Sequence, residues 1–145
     1  MANDKVTNVV VAGLGGQGVL KASDILAEAA FAAGWDVKKS EIHGMSQRGG
    51  SVTSDVRFGE AVASPMVPAG EADYLLALSV SEVEATRALL REGGGVLISA
   101  DLIDENQLPN RRSLNVAMLG ALSTQLGIAD EHWAGAIRNN LPEKV

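Results

Sequence analysis

The chain has 145 residues, 46% of them hydrophobic and 21% charged, which is the composition of an ordinary globular domain with a real core. Twelve basic residues against eighteen acidic ones leave a net charge of −6, a poor balance for coating nucleic acid or an anionic membrane. With no cysteine there can be no disulfide, no thiolate nucleophile and no thiolate ligand for zinc or an iron–sulfur cluster, and two histidines are too few for most all-protein zinc sites. The aromatics (Phe31, Trp35, Phe58, Tyr74 and Trp133) are too sparse for a base-stacking platform. Lys21, Asp24 and Glu28 interrupt the best candidate for a membrane-length apolar run, and the first five residues lack the apolar core of a signal peptide. These features predict a soluble cytoplasmic protein folded as one domain over 1–145.

In chain order, Asn8 to Ala12 (NVVVA) reads as a buried strand ending at a glycine. Gly13-Leu14-Gly15-Gly16-Gln17-Gly18 follows. Val19 to Ala33 then places Ala22, Ile25, Leu26, Ala29, Ala30 and Ala33 on one helical stripe, and Gly34 is positioned to close the helix. Asp36 to Ile42 reads as a more polar strand. His43 to Gly50 holds three glycines and no periodicity, so it reads as a loop. Ser51 to Phe58 alternates apolar and polar residues, which predicts a strand with one wet face, and the strand pair around the 43–50 loop is a candidate for antiparallel pairing.

Gly59 to Gly70, with Pro65 and Pro68, reads as a connection. Ala72 to Leu78 predicts a second buried strand. Ser79-x-x-Glu82 and Ser81-x-x-Glu84 both fit a capping box, which predicts one helix running to about Arg91 before Gly93-Gly94-Gly95. Val96 to Ser99 is a short strand and Asp101 to Ser113 a polar surface stretch. Leu114 to Leu126 is a helix ended by Gly127, and Asp130 is the expected cap of a last helix reaching about Asn139. This alternation predicts a three-layer α/β/α sandwich, Rossmann-like, with a mostly parallel sheet and right-handed crossovers.

Two segments carry chemistry. Gly13, Gly15 and Gly18 fit G-x-G-x-x-G between a strand and a helix. There, glycine allows a tight turn and close approach of backbone to phosphate, and the helix N-terminus offers free N–H groups. The same pattern also serves a tight turn that binds nothing. A ribose-binding acid is expected roughly 20 residues on, and Glu41 stands where that rule wants it, whereas Lys38 and Lys39 suit an extra phosphate or a solvated strand face.

The second segment is His43-Gly44-Met45-Ser46-Gln47-Arg48-Gly49-Gly50, at the carboxyl end of a predicted strand, where open α/β sheets bind ligands. Arg48 presents a planar fork suited to phosphate or carboxylate. His43 has a proton affinity suited to acid–base work, and equally reads as a turn histidine bonded to backbone. Met45 and Met66 suit an irregular interface. His132-Trp133 reads as a surface histidine beside a partly buried tryptophan, and Arg111-Arg112 as a solvated pair. No serine elbow, H-E-x-x-H or Walker lysine occurs.

GLGGQG at 13–18 followed by EIHGMSQRGGSV at 41–52 resembles the gamma-type subunit or domain of the 2-oxoacid:ferredoxin oxidoreductases. The HGMSQRGG wording is similar to the smaller, beta subunit of indolepyruvate ferredoxin oxidoreductase. The likeness continues through Val56-Arg57-Phe58-Gly59, Ser64-Pro65, Pro68-x-Gly70-Glu71-Ala72-Asp73 and Asn115-x-x-x-Leu119-Gly120-Ala121, and spans about 6–139. There are two departures: a shorter stretch between Ala100 and Leu114, and an end at Lys144-Val145 where relatives continue into a further helix.

The resemblance implies a subunit of an enzyme that oxidatively decarboxylates a 2-oxoacid, of arylpyruvate type, to an acyl-CoA and passes the electrons to ferredoxin. It also implies that thiamine diphosphate and iron–sulfur clusters reside in partner subunits, and that this chain binds coenzyme A, docks on the thiamine-binding subunit and is inactive alone. The coenzyme contacts so implied are Gly13, Gly15, Gly16, Gln17, Gly18, Ser46, Arg48, Gly49 and Gly50. His43 and Arg48 are the candidates for a catalytic part, with no metal, nucleic-acid or membrane ligand. Leftover apolar surface points to a dimer or hetero-complex. The residues alone leave two competing readings open: a stand-alone NAD(P)-binding domain using Glu41, and a docking or dimerisation module whose glycines serve packing.

Overall fold

A computed structural model of the chain describes residues 6–14, 18–43, 51–68, 70–99 and 114–140. Five strands, β1 (Val6–Leu14), β2 (Asp36–His43), β3 (Ser51–Gly59), β4 (Tyr74–Ala77) and β5 (Val96–Ser99), form one sheet in the order β2-β3-β1-β4-β5. β1 pairs parallel to β4, and β4 to β5, whereas β3 runs antiparallel to both β1 and β2. Four strands therefore point the same way and β3 runs against them. The β2–β3 pair is the antiparallel pair expected around 43–50, and its insertion beside β1 makes the sheet mixed.

The two faces of β1 alternate as strand geometry requires. Val9 and Val11 join one core with Val56, Phe58, Leu76, Leu78 and Ile98. Helices α1 (Val19–Ala32), α3 (Leu114–Ser123) and α4 (Asp130–Asn140) cover this face. The stripe expected on α1 is the one buried: Ala22, Ile25, Leu26, Ala29 and Ala30 are fully enclosed. Each of Ile25 and Leu26 contributes about 2 kcal/mol by leaving water. Gly34, at φ 99°, follows the C-cap Ala33 and takes the left-handed turn that other residues resist. Trp133 is buried at 6% exposure, deeper than expected, and seals the α4 side of this core.

Val10, Ala12, Ala72 and Leu75 form a smaller core on the opposite face. Its cover is thin: α2 (Val83–Thr86), flanked by 3-10 turns at Val80–Glu82 and Arg87–Leu89, and the strap of residues 60–73. The single helix expected from Ser79 to Arg91 is thus broken into three pieces. Two contacts explain the break. The Thr86 hydroxyl donates to the Glu82 carbonyl at 2.6 Å, a back-bond that bends helices. The segment must then straighten, because Ala72 N–H donates to Leu89 O and Arg91 N–H to Ala72 O. Ser79 takes the extended N-cap conformation, but its side chain does not cap the turn. Likewise Asp130 is the first residue of α4, beyond the cap, and Ala129 O accepts from His132 and Trp133.

The strap is fastened by a polar network on the β1–β3 side of this face. Asp36 accepts from Val62 N–H and Asp55 from Val67 N–H, at 2.8 and 2.9 Å. Arg57 donates to Asn8 Oδ1 and to the Ser64 and Met66 carbonyls at 2.8, 2.9 and 3.1 Å. Asn8 Nδ2 donates to the Glu71 carbonyl, and Asn8 N–H to Asp73 Oδ2. Burial raises the Asp55 carboxyl above its ordinary 3.8, opposed by the Val67 N–H and by the Arg57 charge.

Candidate functional site

The two glycine-rich segments begin at the same edge of the sheet. Gly13 pairs with Val52 and Leu14 with Ser51, while His43 pairs with Val52 from the other side. Gly13, Val52 and His43 therefore stand in one row across β1, β3 and β2. The chain leaves β1 at Leu14 and re-enters α1 at Gly18; it leaves β2 at His43 and returns at Ser51. Gly18 and Gly13 of the expected contacts are described, as is the backbone of His43. Gly15, Gly16, Gln17, Ser46, Arg48, Gly49 and Gly50 lie outside the described residues, as do Met45, Arg111 and Arg112.

Gly18 is the N-cap of α1 and sits at φ 82°, ψ 26°, in the left-handed region. A side chain there would strain the entry into the helix, so glycine is required by the turn itself. Its carbonyl accepts the Ala22 N–H at 2.9 Å, and the first turn of α1 carries no acidic residue. That leaves the positive end of a 14-residue helix uncompensated by a carboxylate of its own first turn, which favours an anion.

On the other side of β1, Leu78 N–H donates to Ala12 O at 2.7 Å and extends the β1–β4 pairing by one step. Here the connection from β1 goes through α1 toward β2, and the connection from β4 goes through α2 toward β5. The crevice between them is the switch point at which open α/β sheets bind ligands. The 3-10 turn carrying Glu82 lies against β1 at this point. Glu82 is only 7% exposed, and reading it as a capping-box residue overlooked its place at the switch point.

Sheet order works against the dinucleotide alternative. In that fold the acidic ribose partner ends the strand beside β1. Here β3 intervenes, so β2 lies about 10 Å from β1, two strand spacings away. Glu41 is also already engaged: it accepts from Lys39 Nζ at 2.6 Å, and Lys39 also bonds Asp24 on α1. Burial tends to lower the Lys39 pKa, but the bonds to Asp24 and Glu41 prevail and raise it above 10.5. Lys38 points to the opposite face, 3.7 Å from Asp36.

At the far edge of the sheet, Thr7, Asp73, Tyr74, Arg91, Gly94 and Val96 line a shallow depression. Arg91 pairs with Asp73 at 3.0 Å and donates to the Gly94 carbonyl, so its charge is spent within the fold. Among the described residues no cluster of three or more His, Cys, Asp or Glu could hold a metal ion. No helix among them is long and apolar enough to cross a membrane.

A mixed α/β sheet with a glycine turn and a returning hairpin loop on one edge defines a Rossmann-like subunit domain without redox ligands of its own. Residues 8–109 match the pyruvate ferredoxin/flavodoxin oxidoreductase family, and the chain belongs to that family. It is 43% identical over 133 residues to indolepyruvate oxidoreductase subunit IorB of Thermococcus kodakarensis, and 42% identical to the same subunit of Pyrococcus horikoshii. Each match covers 90% of this chain and 63% of the relative, so the chain spans less than two thirds of their length.

Among solved structures, it superposes on the gamma subunit of a keto/oxoacid ferredoxin oxidoreductase from Geobacter sulfurreducens with a TM-score of 0.78 at 24% identity. That match covers 97% of this chain and 87% of that one. The 2-oxoglutarate:ferredoxin oxidoreductase from Magnetococcus marinus, solved with 2-oxoglutarate, coenzyme A and succinyl-CoA bound, gives a TM-score of 0.80 at 21% identity. There 98% of this chain matches 28% of that one. At these identities the superpositions establish the fold.

Proposed function

We propose that this chain is the gamma-type part of a 2-oxoacid:ferredoxin oxidoreductase acting on arylpyruvates such as indolepyruvate, and that it assists by binding coenzyme A and docking on the thiamine-binding subunit. The net reaction converts a 2-oxoacid and coenzyme A to an acyl-CoA, carbon dioxide and a proton, with two electrons delivered to ferredoxin. Thiamine diphosphate and the iron–sulfur clusters belong to partner subunits in this reading, and a chain without cysteine has no thiolate for a cluster. The names of the 42–43% identical relatives support the indolepyruvate branch.

The carrying observation is the shared edge: the Gly13–Gly18 turn and the 43–51 return both start from the row Gly13, Val52 and His43, beside the N-terminus of α1. A coenzyme A phosphate fits the uncompensated helix end at Gly18, with Gly15, Gly16 and Gln17 in the turn before it. Ser46, Arg48, Gly49 and Gly50 complete the channel or meet the partner subunit, and His43 stands at its mouth. In the assembled enzyme, Arg48→Ala raises KM for coenzyme A by about ten-fold or more, the loss of one charge-assisted hydrogen bond. Ferredoxin reduction driven by indolepyruvate and coenzyme A is the readout. Unchanged KM and kcat would remove Arg48 from the site and favour a docking module whose glycines only pack.

A further inference from the structure

We propose that Glu82 is a ligand-facing carboxylate of the switch-point crevice, accepting a hydrogen bond from a hydroxyl or N–H group of the coenzyme A molecule held there. The proposal deepens the reading above and rests on it. Glu82 is 93% enclosed, yet its carboxylate makes no hydrogen bond or ion pair with any described residue. The sealed polar side-chain atoms without a partner are Ser54 Oγ and Trp133 Nε1; the Glu82 oxygens are not among them, so its tip remains reachable from outside.

The fold does not need this carboxylate. Glu82 N–H donates to Ser79 O at 3.0 Å, and Glu82 O accepts from the Thr86 hydroxyl at 2.6 Å. Its backbone is therefore satisfied, and a capping-box bond is not what holds the side chain. An enclosed carboxylate without a partner opposes folding, because the charge loses hydration and receives nothing in exchange. Such a cost persists where a ligand supplies the missing donor.

Place and charge define the donor. The 3-10 turn of Glu82 lies against β1 at the switch point, on the opposite side of β1 from β3. A phosphate at this carboxylate would be repelled, so the phosphates belong toward the N-terminus of α1. Glu82 meets a neutral part of the coenzyme instead: a ribose hydroxyl, the adenine amino group, or an amide or hydroxyl of the pantetheine arm.

Coenzyme A is titrated calorimetrically into the assembled enzyme carrying the unaltered chain, Glu82→Gln or Glu82→Ala. Urea unfolding of the full chain alone is followed in parallel by tryptophan fluorescence. The expected result is a Kd raised about ten-fold by Glu82→Gln and up to about a hundred-fold by Glu82→Ala, with unfolding midpoints equal to or above that of the unaltered chain. An unchanged Kd in both variants, with the unaltered enzyme binding coenzyme A, overturns the role of Glu82 and leaves the coenzyme site standing. Midpoints that fall in both variants assign Glu82 to the fold and also overturn it. Absence of binding by the unaltered enzyme overturns the coenzyme reading itself, and this inference with it.

Discussion

Arg57→Ala tests whether the strap of residues 60–73 is held by its polar network. The guanidinium makes three hydrogen bonds, one to Asn8 and two to strap carbonyls at Ser64 and Met66. The bond to Asn8, which is 7% exposed, is charge-assisted and contributes about 1.5 kcal/mol. The two carbonyl bonds lie in exposed surroundings and together contribute about 1 kcal/mol. The expected loss is about 2–3 kcal/mol, or a fall in Tm of roughly 6–10 °C for a chain of this size.

Urea unfolding followed by tryptophan fluorescence measures it. Arg87→Ala is the control, since Arg87 and Glu84 are 57% and 84% exposed and their pair lies within one helical turn. It should change stability by less than about 0.5 kcal/mol. The loss at Arg57 must also depend on pH. The folded pKa of Asp55 is raised, so the folded state holds that proton more tightly than the unfolded chain does. Stability from this group is therefore gained as pH falls through the folded value and lost as pH rises through it. Removing the Arg57 charge raises the Asp55 value further, so the deficit at pH 7 must shrink toward pH 4. A loss no larger than that of Arg87→Ala, or a deficit independent of pH, would refute the network as the fastening of the strap.

Two glycines separate packing from propensity. A Cβ on Gly95 would stand 2.7 Å from the Arg91 carbonyl oxygen and 2.9 Å from Leu90 Cδ2, so Gly95→Ala should cost about 1–3 kcal/mol in thermal unfolding. A Cβ on Gly120, inside α3, meets open space, so Gly120→Ala should stabilise the chain by about 0.5–1 kcal/mol. Lys39→Met should lose about 1 kcal/mol at pH 7, discounted because Asp24 and Glu41 are 40% and 33% exposed. The raised Lys39 value means that its contribution is complete below 10.5 and disappears as pH climbs through the folded value. Unfolding curves taken from pH 9 to 12 should therefore fall more steeply for the unaltered chain than for the variant.

Residues that repeat with a period were legible from the amino-acid order. The α1 stripe, the alternation of Ser51–Gly59 and the apolar runs of β1 and β4 place themselves, because each buries a face set by 3.6- or 2-residue geometry. The strap network was not legible. Asn8, Asp36, Asp55 and Arg57 are ordinary polar residues of strands until sheet order brings residues 60–73 across them. The broken helix at 80–89 was misread for a related reason. Its local signals favour a helix, and only the pairing of Ala72 with the Leu89–Arg91 stretch shows why it cannot continue. Glu82 was assigned to a cap on the same local grounds, and its enclosure became visible only once β1 lay beside its turn.

The antiparallel strand is what makes the two glycine-rich segments neighbours. With a parallel third strand, the chain leaving His43 would have to travel to the far edge before re-entering the sheet. A hairpin return instead brings it back at Ser51, paired with Leu14 at the mouth of the glycine turn. The cost is the place beside β1 that a dinucleotide-binding fold gives to its ribose-binding acid, and Glu41 is left to pair with Lys39 under α1. The same insertion that weakens the NAD(P) reading of G-x-G-x-x-G thus puts Arg48 and its glycines within the connection that starts and ends at that turn's edge. A phosphate held at Gly18 and a guanidinium supplied from the hairpin are consequences of one topological choice, so a variant that breaks either should weaken the same ligand.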